Sequence, residues 1–77
     1  MAGWKETKVA LADGQEVTAS VRVAQAVRIT VRQDDARMTP MVGDRLILDD
    51  MAALVTSVTD PGGRGETWDI VATVTEV

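Results

Sequence analysis

Between Glu16 and Arg32, apolar and polar side chains alternate residue by residue. Odd positions read Val17, Ala19, Val21, Val23, Gln25, Val27, Ile29, Val31. Even positions read Glu16, Thr18, Ser20, Arg22, Ala24, Ala26, Arg28, Thr30, Arg32. A period of two with one apolar face is the mark of a half-buried β-strand. The phase is kept across Gln25. A two-residue hairpin would exchange the buried parity, and the segment holds no Gly, Pro, Asn or Asp to form one. The pattern predicts one long bent strand, or two strands joined without a tight turn. As one strand, at ~3.3 Å per residue, it would reach roughly 56 Å, beyond the width of so small a body. Part of it is therefore expected to project as an arm, with residues 13–24 its mobile part.

Further strands follow from shorter patterns. Val9 to Leu11 is apolar and leads to Asp13-Gly14, a turn signal. Gln33 to Thr39 is polar, and Pro40 disfavours helix at the residue before it. Gly43-Asp44 is a second turn, Arg45–Leu48 a short strand and Asp49-Asp50 the turn after it. A helix over Asp49 to Leu54 would last barely one turn. Ala53 to Thr59 reads as a strand with Leu54, Thr56 and Val58 on one face. Thr67 to Thr75 reads as the last strand, with Trp68, Ile70, Ala72 and Val74 forming its apolar face. Five to six short strands predict a mainly β domain, a small antiparallel barrel or sandwich spanning residues 1–77 as one unit.

Composition sharpens this. Of 77 residues, 24 are Val, Ile or Thr, whose branched Cβ suits a pleated surface. The chain has no Cys and no His, so a disulfide framework, a thiolate nucleophile and an imidazole base are all excluded. No enzymatic function, cofactor or metal is expected. The net charge of −4 argues against a dedicated nucleic-acid binder, and two tryptophans, Trp4 and Trp68, are too few for a base-stacking platform. They are expected as core or interface anchors. Met1 to Lys8 carries Glu6 and no apolar core of a secretory signal, and no apolar run approaches the ~18 residues of a membrane span. Synthesis in the cytoplasm and no membrane partner are expected.

Four places in the sequence invite a chemical role. Asp34-Asp35 and Asp49-Asp50 could ligate a divalent cation, but their spacing fits no calcium loop, and solvated turn carboxylates are the better expectation. Asp60, Pro61, Gly62, Gly63, Arg64 and Gly65 form the strongest loop signal. A phosphate-binding loop would need Gly-Lys-Ser/Thr and a helix after it, and Glu66 and a strand follow instead. The loop is either a mobile hairpin tip or a partner-binding loop that presents Arg64. Arg22, Arg28 and Arg32 share the polar face of the long strand. They form either a basic stripe for nucleic acid or a solvated face paired with some of the many carboxylates.

From Val27 onward the chain resembles a known family. Val27-Arg-Ile-Thr-Val-Arg32, then Met41-Val-Gly-Asp-Arg-Leu-Ile-Leu-Asp49, then Val58-Thr-Asp-Pro-Gly-Gly-Arg-Gly65, then Trp68 to Val77 resemble the C-terminal half of tailed-phage head–tail joining proteins. The resemblance lies in the order and spacing of strand and turn patterns over about 50 of 77 residues. The chain departs from the family in lacking a strand ahead of its Trp-containing segment, and Leu54 or Val55 stands where the family carries an aromatic. The resemblance implies a small β-barrel without catalysis, a head-closure or connector subunit of a phage or prophage virion. It implies a ring of copies below the portal that contacts portal or adaptor and tail proteins. DNA would pass through its lumen without specific binding, and the subunit would be monomeric in the host cytoplasm before assembly. The family's long extension, ordered on assembly, has its counterpart in Glu16 to Arg32. Free strand edges and the arm would engage neighbouring copies. A small nucleic-acid-binding barrel using Arg22, Arg28 and Arg32 is the alternative. A further one is another prophage interaction domain, such as a tail-completion protein or a toxin-neutralising partner.

Overall fold

The computed structural model describes residues 3–49 and 51–76. Six strands, β1 (Lys5–Ala10), β2 (Glu16–Val23), β3 (Val27–Arg32), β4 (Arg45–Leu48), β5 (Met51–Thr59) and β6 (Thr67–Glu76), close into one barrel in the order β1-β2-β3-β6-β5-β4. Every pairing is antiparallel. The mainly β class and the barrel agree with the alternation in the sequence.

The interior is aliphatic. Val9, Val17, Ala19, Val21, Val27, Ile29, Val31, Leu46, Leu48, Ala53, Val55, Ile70 and Ala72 are buried in one cluster, with Leu11 at its edge and Trp68, Met51, Ala36 and Val58 packed against it. The odd positions of β2 and β3 supply six of these, so the face predicted from alternation is the face that points inward. At ~25 cal/mol per Å² of apolar surface removed from water, this cluster is the dominant stabilising term.

Of the two readings of Glu16 to Arg32, two strands is the one found, β2 and β3, and the single long strand and the absence of a tight turn are corrected. The segment does not run straight through. It folds at Ala24-Gln25-Ala26, where the Ala24 amide donates to the Ala26 carbonyl at 3.1 Å and Val23 pairs with Val27. A three-residue connection keeps parity: Val21 faces Ile29 and Arg22 faces Arg28. The phase therefore passes through the turn unbroken. None of the three residues takes a positive φ, so the turn needs no Gly or Asn and leaves no signature. The projecting arm falls with the long strand. Residues 16–23 are barrel wall, paired with β1 on one side and β3 on the other.

On β6, Val74 is exposed rather than part of the apolar face expected of that strand, beside a register irregularity at Ala52/Ala53. β5 also departs from the expected face. Leu54 and Thr56 face outward, but Val58 packs against the core, and Ala53 and Val55 are buried. The cause is a register shift between Val55 and Ser57 that leaves Thr56 as an extra residue. Such a bulge moves every later side chain to the opposite face. The Thr56 hydroxyl donates to the Val71 carbonyl at 3.1 Å across the irregular step.

Antiparallel pairing places the connections at two ends. The 11–15 turn, the 33–44 loop and the 60–66 loop gather at one, the loop end. The 24–26 turn and the β4–β5 turn lie at the other, the hairpin end. In that second turn Asp49 adopts φ 43° and accepts a hydrogen bond from Thr7 Oγ1; Asp50 lies outside the described residues.

Candidate interaction surfaces

The 60–65 loop is built by its own residues. Pro61 and Gly62 are the central residues of a type II turn, Asp60 to Gly63, and Gly62, Gly63 and Gly65 all take positive φ, a region that costs an L-residue about 1 kcal/mol or more. The Gly63 amide donates to the Asp60 carbonyl at 2.9 Å, and the Gly65 amide donates to the Asp60 carboxylate at 3.3 Å. Asp60 thus ties both halves of the loop together. Arg64 is exposed at its tip, with Nη1 3.9 Å from Glu66, an exposed ion pair that contributes little.

Arg22, Arg28 and Arg32 all lie on the outer face of β2 and β3, as the alternation requires. They do not share one environment. Arg32 faces Thr67, beside the 60–66 loop, and reaches Asp34 at 4.0 Å. Arg22 and Arg28 sit directly opposite each other at the hairpin end, and among the described residues neither guanidinium has a carboxylate within ion-pair distance. The expected neutralising partners exist for Arg32 and not for the other two. Trp4 is half exposed and shares one recess with Arg22, Gln25 and Arg28 and a second with Arg28, Thr30 and Asp69. Trp68, by contrast, packs against the core.

A third surface was not visible in the sequence. The 33–44 loop crosses the loop end and is held by Gln15, whose side-chain amide donates to the Asp35 carbonyl and whose Oε1 accepts from the Arg37 amide at 2.8 Å. Gln33 pins the loop from its other side, donating from Nε2 to the Thr67 carbonyl at 3.0 Å. Pro40 is buried, and with Leu11, Met38, Met41 and Leu46 it lines an apolar concavity rimmed by Asp13 and Asp44. Met38, Met41 and Val42 are exposed, and Ile47 and Leu54 are exposed on the outer face of the adjoining β4–β5 hairpin. Two loop methionines beside a concavity carried no periodic signal, so sequence patterning had no means of finding it.

Among the described residues no polar side chain is fully buried and no three of Asp and Glu converge as metal ligands. Asp34 turns to Arg32 and Asp49 to Thr7. No helix among the described residues is long and apolar enough to cross a membrane. No protein family, curated protein or solved structure matches the chain.

Proposed function

We propose that this chain is a non-catalytic virion subunit of a tailed phage or prophage, one of a ring of copies that closes the head below the portal and docks the tail. The observation that carries the proposal is the coincidence of pattern and element. The four segments that resemble head–tail joining proteins fall in order on β3, on the 41–44 turn with β4, on the end of β5 with its loop, and on β6 of one barrel. The barrel is the architecture that the resemblance implies. All ionisable side chains described face solvent or its margin, which suits recognition between surfaces rather than acid–base chemistry.

The closed barrel changes how such a subunit would associate. With β1 paired to β4 at Val9 and Ala10, main-chain strand addition is confined to the short Lys5–Lys8 stretch, and residues 16–23 are wall and leave no arm to exchange. Contacts with portal, adaptor and tail proteins would instead use side-chain surfaces: exposed Met38, Met41 and Val42 at the loop end, Ile47 and Leu54 outside β4–β5, and the Arg64 loop. Methionines adapt their packing to a partner, and apolar patches mark interaction sites. The net charge of −4 keeps the free subunit soluble and suits a lumen that lets DNA pass.

Deletion of the coding gene from the source phage or prophage, followed by electron microscopy of induced particles, tests the proposal. DNA-filled heads without tails, beside free tails, are expected. Intact tailed particles of normal infectivity would contradict it.

A further inference from the structure

We infer that Trp4, Arg22 and Arg28 form a docking site for a carboxylate-bearing segment of a partner protein. The inference rests on this surface alone and does not depend on the virion proposal. Arg22 and Arg28 are cross-strand neighbours on β2 and β3, with side chains on the same outer face. Like charges directly opposite in an antiparallel pair destabilise it. The chain carries 12 carboxylates against 8 basic side chains, so neutralising groups are plentiful, yet among the described residues none lies within ion-pair distance of either guanidinium. Two carboxylates occupy neighbouring outward positions without pairing with either guanidinium. Asp69 accepts from Thr30 Oγ1 at 3.3 Å and lines one recess with Trp4 and Arg28, and Glu6 lines the separate recess of Thr18, Ser20 and Arg32.

Trp4 completes the site. Trp4 precedes the first β1–β2 pair, Lys5 with Val21, shares a recess with Arg22, and lines both recesses that Arg28 lines. A half-exposed indole next to two guanidiniums offers an apolar plate and two planar forks. The forks match carboxylate oxygens bidentately, and Trp with Arg is the pairing enriched where protein partners anchor. A nucleic-acid strand would also find cations and a ring here. It carries a charge at every step, however, and would have to lie along a protein of net charge −4 with a single exposed aromatic, whereas a short acidic segment needs only this one spot.

The test is a titration of the isotope-labelled protein, followed through the Trp4 indole and the Arg22 and Arg28 Nε resonances. The probes are a capped tetraglutamate peptide and, separately, a thymidine oligonucleotide of equal charge. Saturable shifts with the peptide are expected at these three residues, lost in Arg22→Gln and Arg28→Gln. Because each substitution also relieves like-charge repulsion, the free variants are expected to melt at or above the temperature of the parent, which separates lost binding from lost folding. No peptide-induced shift, shifts that persist in the variants, or shifts produced by the oligonucleotide alone would overturn the inference.

Discussion

Ile29 is fully buried between Val21 on β2 and Ile70 on β6. Ile29→Asp puts an unpaired carboxylate among aliphatic groups and is expected to cost several kcal/mol, on the order of 3 or more. Thermal unfolding reads this directly, and an unchanged midpoint would place Ile29 on the wrong face. Gln15 makes two hydrogen bonds from one exposed strand entry to the 33–44 loop. Gln15→Ala is expected to cost about 1–2 kcal/mol and to raise amide exchange at Arg37 while leaving β3 protected. Unaltered exchange at Arg37 would show that Gln15 does not hold the loop. The inward role of Ile29 was legible, because alternation fixes a face locally. The role of Gln15 was not, since its partners lie about twenty residues away and only the closed barrel brings them within reach.

Elements show the same division. β4 and β6 were readable from short apolar alternations, and the turns at Gly14 and Gly43 from glycines that do take positive φ. The 24–26 turn escaped because three residues with negative φ preserve parity and need no special side chain. The bulge at Thr56 escaped because nothing in Leu-Val-Thr-Ser-Val marks an extra residue; pairing with β6 decides it. It has a consequence that can be measured. Leu54→Lys, on the outer face, is expected to change stability by no more than about 0.5 kcal/mol, whereas Val58→Lys, turned inward by the bulge, is expected to cost about 2 kcal/mol or more. Equal tolerance at both positions would refute the assigned register. The seams also differ. β1 and β4 share two paired positions, Val9 with Leu48 and Ala10 with Ile47, while β3 and β6 share six. Amides bridging β1 and β4 are expected to exchange roughly tenfold faster than those bridging β3 and β6, and equal protection would show the short seam to be no weak point.

At the scale of the molecule, closure is the decisive feature. A sheet that meets itself leaves little free edge to invite strand addition, here the Lys5–Lys8 side of β1 beyond its two paired positions with β4, so association relies mainly on what the outside of the barrel displays. That outside is divided. A methionine-lined concavity lies at the loop end with exposed Ile47 and Leu54 on β4–β5, an arginine-tipped loop stands at the same end as the concavity, and an unpaired arginine couple with an exposed indole lies at the other. Distinct surfaces on opposite ends suit a subunit that meets different neighbours above and below. Sequence patterning could register each residue type but not the ends to which the topology sends them. Cryo-electron microscopy of the neck of tailed particles induced from the source genome tests this most directly. The account predicts a ring of closed six-stranded barrels between portal and tail, each meeting neighbours through these side-chain surfaces. Particles whose necks contain no copy of this barrel would contradict it.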